Sequence, residues 1–255
     1  MTSASPSRLE RPDGESIAYH KSEGKTPGVI FCGGFMSDMT GSKATALEAH
    51  CAGHGQAFVR FDYLGHGESS GDFASKGCIS RWADDAAAVL NELTEGPQIV
   101  VGSSMGGWVS LKLAISHPER VRGLVGIAPA PDFTTWMWEG LSDDQRAEVT
   151  NNGFVRIHSE YDPAGYVITK QLIDDGTPNF VLTGEPIPLN IPVRLLHGMA
   201  DPDVPWQHSI RIADHLAGDD VRISFSKSGD HRLSEPDDLA LLCATIDELT
   251  GLVSD

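Results

Sequence analysis

"IVVGSSMGGWVSLKLA", Ile99 to Ala114, runs from a short β-branched segment through two serines into a glycine cluster and then into a segment of helical period. Gly102, Ser104 and Gly106 make G-x-S-x-G, and only Ser104 is centred in it. A residue at the tip of a tight strand-to-helix turn sits on strained backbone, and its neighbours two positions away must lack side chains for the turn to close. Ser104 is therefore the expected nucleophile, Gly102 and Gly106 its elbow, and Ser103 the strand's last step, pointing away. A chain with 27 glycines can offer the pentapeptide by chance. The apolar strand before it and the amphipathic helix after it are what give it weight.

Working outward, further runs of the same kind appear: "GVIFCGG", "AFVRFDY", "VRGLVGIAPA", "PVRLLHG" and "VRISFSKSG". Several are almost continuously apolar, as strands covered on both faces must be. Helical segments lie between them. In Ser80 to Leu93 the residues Trp82, Ala86, Val89, Leu90 and Leu93 fall three and four apart, which puts them on one face. Ser42 to Cys51, Gly106 to Ser116, Gln207 to Leu216 and Pro236 to Leu249 read similarly, the last with a proline and acids in its first turn. Strand and helix in alternation predict an α/β fold with a mostly parallel, doubly wound sheet, one domain over 1–255. Residues 131–188 break the rhythm with aromatics and acids, among them Phe133, Trp136, Trp138, Phe154, Tyr161 and Tyr166, and no clear strand. The expectation is a helical cap inserted between two sheet strands.

At 255 residues, 40% hydrophobic and 22% charged, the chain can bury a sizeable core without disulfides. Its 36 acidic against 19 basic residues give a formal charge of -17, a field that repels phosphate backbones and anionic lipid. Nucleic acid is thus not an expected partner, and the acidity reads as a solubility feature. Four cysteines without a C-x-x-C pair suggest buried, reduced thiols rather than a metal or redox site. Cys32 in particular reads as a small buried hydrophobe. No apolar run approaches the roughly 18 residues of a membrane helix, and the N-terminus lacks a secretory h-region, so a cytoplasmic location is expected.

A serine hydroxyl is a weak nucleophile at neutral pH and needs a histidine base, which in turn needs a carboxylate to fix its tautomer. Downstream, "LLHGMADPDVPW" follows one strand and "SGDHRLSEP" follows the last. The first offers Asp201 and Asp203, both at a strand end on the edge of the sheet where the serine turn lies. The second offers His231, whereas His197, at a strand end, and His66, in a Gly-His-Gly turn, read as structural.

These residues resemble the α/β-hydrolase superfamily from Gly28 to the C-terminal helix, carried by "GSSMG", "HGMADPDVP" and "GDH" in the order Ser, Asp, His. The family's His-Gly-x-x-Asp-x-x-Val-Pro pattern implies Asp201 as the acid and leaves Asp203 in reserve. It implies an oxyanion hole from the backbone N–H of Met105 and a second from the loop "FCGGFMSDMTGSKA", assigned to Phe35. Where the commoner pattern has His-Gly, this chain has Cys32-Gly33-Gly34, which leaves that register open by one residue. "RFDYLGHGESSGDF", Arg60 to Phe73, is similar to the family's Asp-x-x-Gly-x-Gly-x-Ser turn and reads as a fold marker.

Within the superfamily, "GGFMSDMTGSKATALE", "RFDYLGHGESSGDF", "GSSMGGWVSLKLA", "PIPLNIPVRLLHGMADPDVPW" and "SGDHRLSEPDDL" most resemble the mitochondrial palmitoyl-protein thioesterase and acyl-glucuronide esterase branch and its bacterial relatives. The resemblance implies a serine esterase or thioesterase acting on a small-molecule acyl substrate, with no metal and no organic cofactor. The chain shows no Arg-rich presequence, so a mitochondrial address does not carry over. A serine peptidase or a haloperoxidase-like activity uses the same scaffold. A dehalogenase would need aspartate where Ser104 stands. A low-turnover ligand receptor is the rival from another class, against which the complete Ser, Asp and His set argues.

Overall fold

The computed structural model describes residues 5–159 and 165–253; Tyr161, counted above among the aromatics of the insertion, lies outside them. Two short strands come first, β1 (Ser7–Glu10) and β2 (Ser16–Ser22). Then follow β3 (Lys25–Cys32), α1 (Ser42–His54), β4 (Gln56–Phe61), the single turn α2 (Phe73–Lys76), α3 (Ile79–Leu93), β5 (Gln98–Ser103), α4 (Met105–Ser116) and β6 (Val121–Ile127). The segment after β6 holds α5 (Thr134–Gly140), α6 (Asp143–Asn152), β7 (Phe154–Ile157), β8 (Tyr166–Thr169) and α7 (Lys170–Gly176). Alternation resumes with β9 (Val193–Gly198), α8 (Gln207–His215), β10 (Val221–Ser226) and α9 (Pro236–Val253).

The main sheet has the order β1-β2-β4-β3-β5-β6-β9-β10. From β4 to β10 every pairing is parallel, while β2 joins β4, and β1 joins β2, antiparallel. Each apolar run read from the sequence is a strand of this sheet. β5, buried at every residue, is covered on both sides. One layer, with Trp82 of α3, Trp108 and Val109 of α4 and Ile212 of α8, covers one face. The other face carries Leu47 of α1 and Leu242, Ile246 and Leu249 of α9. The order of strands reverses between β3 and β5, which are parallel neighbours with Cys32 opposite Gly102. A crevice opens outside the carboxyl ends of strands at such a reversal.

The segment between β6 and β9 departs from expectation in one respect: beside its helices it contains an antiparallel hairpin, β7 with β8. Strands of four residues, one of them interrupted by Arg156, give too short an apolar pattern to read. The hairpin and α6 enclose a small core of Leu141, Val149, Val155 and Ile168. Ser142 caps α6 by accepting from the Gln145 N–H while the Gln145 side chain accepts the Ser142 N–H, at 3.2 and 2.9 Å. The segment is tied down where it leaves and where it returns. The Asp132 carboxylate accepts the N–H groups of Val181 and Leu182, both at 2.9 Å. Trp108 Nε1 donates to the Asn179 carbonyl at 3.0 Å.

Candidate active site

Ser104 stands between β5 and α4 with φ 54 and ψ -118, a conformation that non-glycine residues adopt only when their surroundings impose it. Its N–H donates to the Ile127 carbonyl at 2.9 Å, and its own carbonyl accepts from Gly107 at 2.8 Å and Ala130 at 3.0 Å. The flanking glycines are fixed by contact. A Cβ on Gly106 would overlap the carbonyl oxygens of Cys32 and Gly33, and one on Gly102 would overlap Gly106 and Ser110. Gly107, pressed against Pro129, is a third such position. Ser103 ends β5 opposite Ile127 and is buried.

The His231 ring lies between Ser104 and Asp201, with Nε2 3.0 Å from Ser104 Oγ and Nδ1 2.8 Å from Asp201 Oδ2. With the proton on Nδ1, the ring donates to the carboxylate and accepts the serine hydroxyl, the arrangement a general base needs. Asp203 contributes differently from the reserve reading, since its backbone N–H donates to Asp201 Oδ1 at 2.8 Å. The Val204 N–H adds a bond of 2.9 Å to the same oxygen. His197 approaches Asp201 Oδ2 with Nε2 at 3.2 Å, its other nitrogen 2.7 Å from the Ser209 hydroxyl. Burial by itself would raise the Asp201 carboxyl, but hydrogen bonds from His197, His231 and the Val204 amide hold it well below the usual carboxylate range. It is thus an anion aimed at His231. The loop bearing His231 is shaped by Asp230, whose Oδ1 accepts the N–H groups of Arg232 and Leu233 at 3.0 Å each. It is held beside the acid loop by the Ala200 N–H, which donates to the Gly229 carbonyl at 3.0 Å.

Phe35 and Met105 both border the cavity above Ser104. Met105 is the first residue of α4, so its N–H has no partner inside the helix. In the loop after β3, the Met36 N–H is engaged by His66 Nε2 at 3.1 Å. Met36 itself has φ 50. The bond to His66 occupies the Met36 N–H and leaves the two residues before it, Gly34 and Phe35, both on the cavity, as sources of a second donor. The Phe35 ring makes edge contacts with Phe73, Phe133 and Tyr166, centroids 5.4 to 5.7 Å apart. Cys32 is fully buried, and burial pushes its thiol up to about 11, which fits a packing role.

A cavity of about 900 Å³ contains Ser104, Met105, Phe35 and His231. The segment after β6 gives it an apolar wall: Phe133, Trp136, Met137, Leu141, Ile157 and Ile168. The lining also includes the polar residues Asp38, Lys43, Asp203 and Arg232. Burial lowers the Lys43 ammonium to about 8, and it donates to the Arg232 carbonyl. Trp138 instead packs on the small core of that segment, and Trp108 is fully buried. Phe133 and Trp136, by contrast, line the cavity. Among the described residues a second trio of donors, His50, His54 and Asp247, lies at the surface between α1 and α9, with His50 Nε2 2.8 Å from Asp247 Oδ1.

Strand order and the positive-φ serine at the sheet's reversal define the class: an α/β hydrolase. The chain matches the Hydrolase_4 model, described as serine aminopeptidase, S33, over residues 27–158, just over half its length, and belongs to that family. Within it, the chain is 42% identical over 252 residues to the mitochondrial palmitoyl-protein thioesterase ABHD10 of Mus musculus, covering 98% of this chain and 84% of that one. The Homo sapiens protein of the same name is 40% identical over 246 residues, covering 96% and 80%. The solved structure of mouse alpha/beta hydrolase domain-containing protein 10 superposes with a TM-score of 0.88 at 43% identity, covering 96% of this chain and 98% of that one.

Proposed function

We propose that the chain hydrolyses acyl thioesters or esters through an acyl-enzyme on Ser104. The observation that carries this reading is the His231 ring, bonded at once to Ser104 Oγ at 3.0 Å and Asp201 Oδ2 at 2.8 Å, on the floor of a cavity with one apolar wall. His231 Nε2 takes the hydroxyl proton as Ser104 attacks the carbonyl, and the Asp201 anion stabilises the resulting imidazolium. The tetrahedral oxyanion is received by the N–H groups of Met105 and Phe35, each worth about 3–4 kcal/mol to the transition state. His231 then passes its proton to the departing thiol or alcohol. Water, activated by the same ring, releases the acid. Residues 131–188 act as a cap, and their apolar wall takes the acyl chain.

Similarity to proteins named palmitoyl-protein thioesterase supports an acyl thioester substrate of this type. The family's description names a peptidase, so an amide belongs in the test. A panel of acyl thioesters, oxygen esters and acyl glucuronides from acetyl to palmitoyl, with an amino-acid amide beside them, is expected to show repeated turnover of the esters or thioesters. Ser104→Ala should fall below about one-thousandth of the parent rate and lose labelling by a fluorophosphonate. Parent-level turnover by Ser104→Ala overturns the reading, as does turnover of the amide alone. A single slow covalent event would favour a receptor.

No helix among the described residues is long and apolar enough to cross a membrane. A cytoplasmic location fits the free cysteines Cys32, Cys51, Cys78 and Cys243, whereas the name of the mouse relative places that protein in mitochondria.

A further inference from the structure

The turn "DYLGHG", Asp62 to Gly67, does more than mark the fold. We infer that His66 and Asp62 are positioning residues that hold the loop after β3 so that the Phe35 N–H points into the oxyanion site. This rests on the proposed reaction at Ser104.

Two bonds join the turn to the loop on either side of its bend. His66 Nε2 accepts the Met36 N–H at 3.1 Å, one residue past Phe35. Asp62 Oδ1 accepts the Met39 N–H at 2.6 Å. Arg60 Nη1 closes the same junction by donating to the Met39 carbonyl at 2.7 Å. Met36 at φ 50 would cost energy in a free loop, so something must hold it there. The His66 nitrogen opposite its N–H is the partner the structure provides.

The acceptor role fixes the chemistry of the ring. Nδ1 faces the Leu64 carbonyl at 3.1 Å and must carry the proton, leaving the Nε2 lone pair for Met36. Phe73, Trp82 and Tyr63 surround the imidazole with centroids 5.2 to 5.7 Å away, and the residue is 4% exposed. This burial keeps the ring neutral, its pKa pushed down to about 4. A charged imidazolium would aim an N–H at the Met36 N–H. The Gly-His-Gly sequence follows from geometry: Gly65 has φ 73 and Gly67 φ 45, and a Cβ on Gly67 would overlap the Asp62 carboxylate. This tight turn puts the His66 ring and the Asp62 carboxylate on the loop together.

The test compares His66→Leu, which keeps bulk without an acceptor, with His66→Gln, whose Oε1 stands near the Nε2 position. Each is assayed on a p-nitrophenyl acyl ester below its melting temperature, beside Ser104→Ala, and titrated with an acyl trifluoromethyl ketone that forms a tetrahedral adduct. Expected is a fall in kcat of about 10- to 100-fold for His66→Leu with KM little changed, and similar weakening of the ketone. His66→Gln recovers most of both. Amide exchange at Met36 speeds up in the leucine variant and stays slow in the glutamine one. If His66→Leu keeps the parent kcat and ketone affinity and loses only thermal stability, the ring merely packs and the inference is overturned. Should Ser104→Ala remain active, the underlying reading has failed, and the Met36 exchange rates still report whether His66 holds the loop.

Discussion

At Gly106 a single hydrogen is all the space allows, because the carbonyls of Cys32 and Gly33 occupy the place of a Cβ. Both are backbone atoms at the end of β3, so relief requires that strand end to move away from the elbow, taking the Phe35 loop with it. Gly106→Ala is expected to cost about 1–3 kcal/mol or more in urea unfolding and to lower turnover by at least about 10-fold. Gly123 of β6 supplies the contrast: it is in the sheet, yet a Cβ there meets Ile99 at 3.5 Å, ordinary contact. Gly123→Ala should stay within about 1 kcal/mol of the parent with normal kcat. Parent-like stability and activity in Gly106→Ala would show that the β3 end is not packed against the elbow. The same scale explains what could be read in advance. Ser104 is marked by a short local pattern, because a residue exposed on so tight a turn needs its own neighbours to be small, and Asp201 and His231 by standing just past the ends of legible strands. The Met36–His66 and Asp62–Met39 bonds leave no such mark. Each links a side chain to an amide 30 or 23 residues away, and a backbone amide has no residue type. The two glycines around His66 were the available signal, pointing to a sharply turned residue.

At the level of elements, legibility follows burial. β5, buried throughout, reads directly from "QIVVGS", whereas β1, "SRLE", and β2, "SIAYHKS", lie toward an edge of the sheet and keep polar residues. The β7 and β8 hairpin escapes for the same reason, having only a small core to serve. The segment containing it is held at its base by Asp132, which sits at φ 62 and gives both carboxylate oxygens to the N–H groups of Val181 and Leu182. Asn tolerates this backbone conformation but offers one acceptor where two are needed, leaving an N–H unpaired at a cost of about 1–3 kcal/mol. The segment supplies the apolar wall of the cavity. Loosening it should therefore hurt long acyl chains and spare short ones. For Asp132→Asn the expected outcome is a kcat/KM on dodecanoyl thioester about 10-fold below the parent, with acetyl thioester within about 2-fold. An equal loss on both chain lengths would mean that Asp132 acts on the nucleophile turn rather than on the acyl wall.

Across the whole molecule, the reversal of strand order between β3 and β5 draws the parts of the site from distant sequence to one crevice: the loop after β3, the turn after β5 and the loops after β9 and β10. A fold that encloses these loops also encloses neutral imidazoles, and that sets how the protein responds to acid. His66 is held down to about 4 by burial, with aromatic rings and backbone groups around it. His208, near Arg211, His197 and the Trp136 ring, is also lowered to about 4, chiefly by burial. In the unfolded chain both return to about 6.5. Between these values the unfolded state binds protons that the folded state refuses, so stability is full above about pH 6.5 and falls as the pH drops toward 4. The contribution of His66 alone is roughly 3 kcal/mol over that window. Asp201 has the carboxylate form of the same sign, since its folded-state pKa is depressed, and its contribution is lost at still lower pH. Urea unfolding of the parent and of His66→Gln, at steps from pH 7 to 4.5, isolates one of these protons. The slope of stability against pH below about 6 should be shallower in the variant by about 1.4 kcal/mol per pH unit. Equal slopes would mean that His66 takes up its proton in the folded protein, and with it that the ring cannot be accepting the Met36 N–H.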